Sequence, residues 1–122
     1  MNISFVIPMF NAEKFISDSV HSVFNGNFFN GDELIIVNDG SSDNSLSISQ
    51  QLQTKIDKDI KIKDLKTNKG GSTARNEGVS LSRNPFIFNL DADNILLPNS
   101  INKLKFFFKE NSLDAASFRN LY

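Results

Sequence analysis

Several residue types are scarce in this chain: among its 122 residues there is no cysteine, no tryptophan, one tyrosine and one histidine. Without cysteine the chain has no disulfide, no thiolate metal site and no cysteine nucleophile, which fits a reducing compartment. The one histidine, His21, falls on a predicted helix, so a Ser-His-Asp triad has no support. The 13 basic and 14 acidic residues nearly balance, and this balance disfavours nucleic acid as a partner.

Long apolar runs are also missing. No segment approaches the roughly 20 apolar residues that a membrane-spanning helix requires. The N-terminus lacks the basic start and the apolar core of about 7–15 residues that mark a secretory signal. We therefore expect a cytoplasmic protein without a membrane span, and we expect residues 1–122 to form one domain with a sizeable core.

Strand-like and helix-like segments alternate along the chain. Short β-prone segments predict strands near residues 3–7, 33–38, 60–65, 85–90 and 115–118. Between them, helical patterns predict one helix capped by Asn11, one at 44–55, one capped by Ser72, and one whose first turn holds Pro98. Such βα repeats predict an α/β fold with an open, mostly parallel, twisted sheet and helices on both faces.

A polar, glycine-rich or acidic cluster follows each of the first four predicted strands. These clusters are residues 9–11, 38–43, 68–72 and 91–94. The carboxyl ends of parallel strands meet at one edge of a sheet, and α/β proteins bind their ligands at that edge. The sequence therefore predicts that this edge carries the site.

Residues 86–93, Phe-Ile-Phe-Asn-Leu-Asp-Ala-Asp, are the most informative stretch. The apolar part predicts a buried strand, and in an extended segment Asp91 and Asp93 would point the same way toward one ion. Two like charges about 4 Å apart repel by roughly 4 kcal/mol at an effective dielectric near 20. A divalent cation removes this penalty and can hold a diphosphate. We therefore predict metal-assisted chemistry on a phosphate ester, with a solvated loop end as the alternative.

Two further segments each allow two interpretations. Asp39 belongs either to a simple turn or to a site where it accepts a hydrogen bond from a nucleobase or a ribose hydroxyl. Residues 69–72 form either a flexible loop or an anion site at a helix N-terminus. This loop has neither P-loop spacing nor a Gly-x-Gly-x-x-Gly pattern, so the sequence supports neither an ATPase nor a dinucleotide dehydrogenase. Arg75 could reach a phosphate or brace a nearby carboxylate.

Together these segments resemble family 2 glycosyltransferases, whose nucleotide-binding half has the GT-A fold. The resemblance rests on residues 7–11, 33–43, 68–70, 74–76 and 90–94, in that order. It implies a nucleotide-diphospho-sugar donor, usually a UDP-sugar, held through Mn²⁺ or Mg²⁺. It further implies inverting glycosyl transfer to a saccharide, lipid or protein acceptor that the sequence does not identify.

The resemblance also implies roles for individual residues. Asp39 would hold the uracil or ribose, Asp93 would bind the metal, and Asp91 would contact the ribose or a metal-bound water. The full substrate-binding set is Pro8, Phe10, Asn11, Asp39, Gly70, Arg75, Asp91 and Ala92, and the metal ligands are Asp93 and Asp91. The chain departs from the family at Asn38, where a second aspartate is common, and at Phe10, where tyrosine is commoner.

Length is the larger departure from the family. The acceptor-binding half and the general base follow the segment that ends near Asn94, so the base is expected beyond Tyr122. We therefore expect a donor-binding domain that transfers little or no sugar alone.

Two other classes remain open on the sequence. One is a Mg²⁺-dependent phosphatase-like hydrolase, although its Asp-x-Asp normally follows the first strand and here it follows the fourth. The other is a non-catalytic interaction module that forms a homo-oligomer through an unpaired sheet edge near residues 115–122.

Overall fold

The computed structural model describes residues 1–116, in which four strands and four helices alternate. The strands are β1 (Ile3–Met9), β2 (Glu33–Asn38), β3 (Ile60–Asp64) and β4 (Phe86–Asn89). The helices are α1 (Ile16–Phe24), α2 (Ser45–Lys55), α3 (Gly71–Leu81) and α4 (Ser100–Asn111). In this part of the chain no helix has both the length and the apolar character needed to cross a membrane.

The strands form one parallel sheet in the order β3-β2-β1-β4. Phe5 of β1 lies opposite Leu34 of β2 and Phe88 of β4. Both central strands are buried because β-branched and aromatic side chains cover their two faces. The predicted open parallel α/β sheet is confirmed.

Helices cover both faces of the sheet. On one face, Phe5 and Ile36 join a large apolar core that also contains Ile16 and Val20 of α1, together with Ile101 of α4. On the other face, α3 packs Ala74 against Ile35 and Val37 of β2. Gly78 brings α3 close to β1, since a Cβ atom there would lie 2.3 Å from Cγ1 of Val6.

β4 differs from the buried strand that the sequence predicted. In the described part of the sheet it lies at an edge, where it pairs with β1, and Phe86 is 37% exposed. Periodicity shows that a segment is apolar, whereas burial of an edge strand depends on what covers it. The predicted strand at 115–118 is absent at residues 115 and 116, and its remaining residues lie outside the described range.

Two predicted helix caps were also wrong. Asn11 does not cap α1, which begins at Ile16 with Phe15 at the cap position. Gly70, rather than Ser72, occupies the cap position of α3. Asn11 instead adopts a positive φ of 47° and bonds to the loop after β2, a tertiary contact that local propensity does not reveal.

Candidate functional site

A cleft of about 370 Å³ opens at the carboxyl ends of the strands. It contains every residue that the sequence nominated for the site: Pro8, Phe10, Asn11, Asp39, Gly70, Arg75, Asp91, Ala92 and Asp93. β1 separates β2 from β4 in the sheet, yet residues that follow all three strands reach the same cleft. The structure therefore brings the nominated residues together at the predicted edge of the sheet.

Asp39 is the most constrained acidic side chain in the cleft. It is buried, and its carboxylate accepts hydrogen bonds from the N–H groups of Lys69 at 2.7 Å and Gly70 at 3.1 Å. Gly40 has a positive φ of 71°, and a Cβ atom there would lie 2.4 Å from the backbone nitrogen of Asn68. Asp39 therefore fixes the loop before α3, and its oxygens keep further acceptor capacity for a ligand.

Asp91 and Asp93 lie on a turn rather than on an extended segment. The Leu90 N–H donates to the Val6 carbonyl at 2.9 Å, and the Asn94 N–H then donates to the Asp91 carbonyl at 2.9 Å. Leu90 and Ala92 are buried, whereas Asp91 and Asp93 are exposed. The turn, and not the predicted strand geometry, presents both carboxylates to the cleft.

Arg75 contacts one of these carboxylates. Its Nη2 atom lies 3.4 Å from Oδ1 of Asp91, and the two side chains are 44% and 56% exposed. Exposed ion pairs of this kind contribute about 0–1 kcal/mol. Arg75 can therefore leave Asp91 for another anion at little cost.

The N-terminus of α3 forms another wall of the cleft. Gly70 and Gly71 line it, and the first turn of the helix contains no acidic side chain. A helix N-terminus has unpaired N–H groups and a partial positive charge. This wall therefore favours an anionic group.

Hydrogen bonds join the loop after β1 to the loop after β2. Asn11 Oδ1 accepts from the Ser42 N–H at 2.8 Å, and the Ala12 N–H donates to Oγ of Ser45 at 2.8 Å. Asp43 accepts from the Glu13 N–H at 3.1 Å and from the Ser45 hydroxyl at 2.6 Å. Burial raises the pKa of Asp43, but the Ser45 and Glu13 hydrogen bonds outweigh it and lower the pKa overall. Each loop thus holds the other in place beside the cleft.

Some residues of the cleft were not predicted. Phe15 precedes α1, is 50% exposed and lines the cleft. Ala12 also lies outside the residues that the sequence placed at this edge, whereas Met9, Asn68 and Gly71 belong to the predicted clusters at 9–11 and 68–72. The exposure of Phe15 depends on where α1 begins, which local propensity does not reveal.

The acidic side chains fit one kind of metal site. Within residues 1–116 no group of three or more His, Cys, Asp or Glu side chains could hold an ion. Asp91 and Asp93 instead offer two exposed carboxylates beside a wall that favours anions. Mg²⁺ is usually held by one or two carboxylates together with substrate phosphates, and this donor set fits an ion that shares a diphosphate.

A second charged cluster lies at the opposite end of the strands, away from the cleft. The fully buried carboxylate of Glu33 accepts from the Ser4 hydroxyl at 2.6 Å, the Arg83 N–H at 2.7 Å and the Lys61 ammonium at 2.6 Å. Arg83 also pairs with Asp59. This cluster links β1, β2 and β3 to the chain after α3, and it was not predicted.

A parallel sheet with a polar cleft at the carboxyl ends of its strands defines a class of α/β ligand-binding domains. The profile of the family described as Glycosyl transferase family 2 matches residues 4–121. The chain belongs to that family, and the resemblance noted in its motifs is confirmed.

Two curated relatives support this assignment. An uncharacterized glycosyltransferase of Haemophilus influenzae is 34% identical over 109 residues, which cover 89% of this chain and 33% of that protein. A putative teichuronic acid biosynthesis glycosyltransferase of Bacillus subtilis, TuaG, is 34% identical over 110 residues, covering 90% of this chain and 43% of the relative. The chain therefore spans less than half the length of either protein.

Solved structures show the same fold. The TarS fragment of S. aureus in complex with UDP-GlcNAc has a TM-score of 0.79 at 22% identity, covering 98% of this chain and 37% of that one. The mannosyltransferase PcManGT from Pyrobaculum calidifontis, in complex with GDP-Man and Mn²⁺, has a TM-score of 0.76 at 16% identity. It covers 86% of this chain and 32% of that one.

Proposed function

We propose that residues 1–122 form the donor-binding domain of an inverting glycosyltransferase that uses a nucleotide-diphospho-sugar, most simply a UDP-sugar. The observation that carries the proposal is the shared cleft, in which Asp39, the N-terminus of α3, Asp91 and Asp93 meet. These groups match the successive parts of such a donor, namely the nucleoside, the diphosphate and its cation. The structures of TarS with UDP-GlcNAc and of PcManGT with GDP-Man and Mn²⁺ support this donor class.

The nucleoside would lie against Pro8 and Phe10. Phe10 is 50% exposed and offers its ring to a planar base, as aromatic side chains commonly do. Asp39 would accept from the uracil N–H or a ribose hydroxyl, with Asn11 bordering the same part of the cleft. Because two backbone N–H groups already orient the Asp39 carboxylate, it would meet the ligand without rearranging.

The diphosphate would lie between α3 and the turn at residues 91–94. Gly70 would present the helix N-terminus, and Arg75 would exchange its contact with Asp91 for a phosphate oxygen. Asp93 and Asp91 would hold Mn²⁺ or Mg²⁺, since carboxylate oxygens suit both ions. When bound, the ion supplies positive charge that stabilises the departing diphosphate. Ala92, which is buried between the two aspartates, would limit the depth of this part of the cleft.

The acceptor and the general base are not assigned to residues of this chain. The acceptor would be a saccharide, lipid or protein, and the base would belong to the longer part of the protein that the relatives have beyond this match. We further propose that the domain works in the cytoplasm, because a chain without cysteine fits a reducing compartment.

The proposal predicts that UDP binding depends on the metal and on Asp93. Titration calorimetry with UDP should show tighter binding in Mn²⁺ than in EDTA, because the ion offsets the repulsion between the diphosphate and two carboxylates. Asp93→Asn should remove most of this difference, which means that its UDP affinity in Mn²⁺ should fall by about tenfold or more.

Asp57→Asn is the matched control, because Asp57 is an exposed carboxylate between α2 and β3 and does not line the cleft. It should keep the full effect of Mn²⁺. An affinity that ignores the metal, or that is the same in the Asp93 variant, would contradict the proposal. Turnover of simple phosphate esters by the unchanged chain would favour the hydrolase instead.

A further inference from the structure

The turn that carries Asp91 and Asp93 is held by buried polar side chains of α1. Ser19 is fully buried, and its one hydroxyl hydrogen is shared in a three-centre bond between the Asn94 carbonyl and the Asp91 carbonyl, the latter at 3.3 Å from Oγ. These two carbonyls belong to the first and last residues of the turn. One hydroxyl therefore bridges both ends of the segment from which the two carboxylates project.

The contacts continue along the chain after the turn. Oγ of Ser22 accepts from the Leu96 N–H at 3.0 Å while its own hydroxyl donates to the Ser19 carbonyl at 2.6 Å. Asn27, also fully buried, donates to the Leu97 carbonyl at 3.0 Å and accepts from the Ile101 N–H at 3.0 Å. The segment between β4 and α4 has no regular secondary structure. Its backbone N–H and C=O groups are instead paired by side chains of α1 and of the loop after α1.

The direction of the Ser19 hydroxyl separates it from an ordinary helical serine. Serines inside helices commonly bond to a carbonyl of their own helix, three or four residues earlier. Ser49 of α2 does this, since its hydroxyl donates to the Leu46 carbonyl at 2.8 Å. Ser19 instead reaches out of its helix, more than 70 residues along the chain, to the turn.

We infer that Ser19, supported by Ser22, is a positioning residue that sets the geometry in which Asp91 and Asp93 meet the cation and the diphosphate. The inference rests on the proposed function and adds to it a residue outside the cleft lining. The carboxylates themselves are exposed, so their own side chains supply little restraint. Their direction is instead fixed by the hydrogen bonds that hold the backbone of the turn. In metal sites, residues that hydrogen-bond to the ligands orient those ligands in the same way.

Ser19→Ala tests the inference, with Ser49→Ala as the matched control. Both substitutions remove a hydroxyl from a fully buried helical serine, but only the first hydroxyl touches the turn. The first measurement is the ratio of UDP affinity in Mn²⁺ to UDP affinity in EDTA. Ser19→Ala should reduce this ratio about tenfold, while UDP affinity in EDTA and the ratio in Ser49→Ala stay unchanged.

The second measurement is amide hydrogen exchange, which needs no metal. The Asn94 and Leu96 N–H groups should exchange faster in Ser19→Ala than in Ser49→Ala, because the turn that orders them is released. If Ser19→Ala fails to fold, Ser22→Ala takes its place, since it removes the acceptor of the Leu96 N–H. Ser22→Ala should likewise lower the affinity ratio and speed the exchange of the Asn94 and Leu96 N–H groups.

The outcomes separate this inference from the proposed function. Equal affinity ratios and equal exchange rates in the Ser19 and Ser49 variants would overturn the inference and leave the donor-binding proposal standing. If Mn²⁺ has no effect on UDP binding to the unchanged chain, the proposed function fails, and the exchange rates alone decide whether Ser19 orders the turn.

Discussion

At the scale of single residues, the acidic side chains divide by environment into two kinds. Asp39 and Glu33 are buried and have several donors each, whereas Asp91 and Asp93 are exposed. A buried carboxylate with several donors stabilises the surrounding backbone. An exposed carboxylate can gain a new partner at little cost, since Asp91 would give up only a solvent-screened contact with Arg75.

Glu33 leads to a prediction on pH. Burial raises its pKa, but the Lys61, Ser4 and Arg83 hydrogen bonds outweigh burial and lower the pKa of the folded protein below the ordinary value of 4.5. The unfolded chain therefore binds the proton more tightly, so the stabilisation is complete above the ordinary value and is lost as pH falls through the lowered one. Urea unfolding between pH 3 and pH 7 should show this loss, with Asp43 contributing in the same direction.

Glu33→Gln should make this pH dependence shallower and should lower stability at neutral pH by about 1–2 kcal/mol, less than the cost of breaking a fully buried pair, because water screens the half-exposed Lys61 and Arg83. Glu77→Gln, on the surface of α3 and outside the cluster, serves as the control. A pH profile that is identical in the two variants would show that the Glu33 charge contributes nothing.

Most of the nominated residues could be grouped at one sheet edge from the sequence because they lie at or just after the ends of β1, β2 and β4, and strands are recognisable from local composition. The partners of those residues were not predictable. Asp39 meets a loop about 30 residues later, and Ser19 meets the turn more than 70 residues later. The exposure of Phe15 in the cleft was also not predictable, since it depends on where α1 begins.

At the scale of elements, α3 lies close to the sheet at Gly78. At Gly78, an added Cβ would lie 2.3 Å from Val6 Cγ1 and 3.4 Å from Val37 Cγ2. This contact sets how near α3, and therefore its N-terminus in the cleft, lies to the strand ends.

Gly78→Ala should therefore destabilise the fold. Alanine favours a helix over glycine by about 1 kcal/mol, but an overpacked contact of this kind costs about 1–3 kcal/mol. Gly71→Ala in the same helix is the control, because the nearest atom to its added Cβ is Nη1 of Arg75 at 3.6 Å. Urea unfolding should show a loss for position 78 and none for position 71. Equal effects at the two positions would mean that α3 does not pack tightly on β1.

The order of elements was predicted more accurately than their surroundings. Strands at 3–9, 33–38, 60–64 and 86–89 fall within a few residues of the expected positions, because short β-prone runs between turn residues are local signals. The burial of β4 was overestimated, since an apolar strand looks the same in sequence at the centre of a sheet and at its edge.

At the scale of the whole molecule, apolar surface is concentrated beside β4. Phe86, Phe106 and Phe107 are 37%, 67% and 49% exposed. A cavity of about 470 Å³ lies beside Phe86 and Phe106, lined by Met1, Phe86, Lys105, Phe106, Phe108, Lys109, Ser112 and Leu113. In the described sheet, the edge of β4 that faces away from β1 has no strand partner.

Exposed aromatic patches and unpaired strand edges both promote association, so we expect the 122-residue chain to self-associate as its concentration rises. Light scattering coupled to size-exclusion chromatography should show a mass above 13.7 kDa. Replacing Phe106 and Phe107 together by lysine should restore the monomer. The control, Val79→Lys, alters a side chain that is 43% exposed on α3, and it should leave the mass unchanged. Because the cleft lies at the strand ends rather than beside β4, UDP affinity should be equal in both variants. A monomer at every concentration of the unchanged chain would show that this patch has no affinity for a second copy.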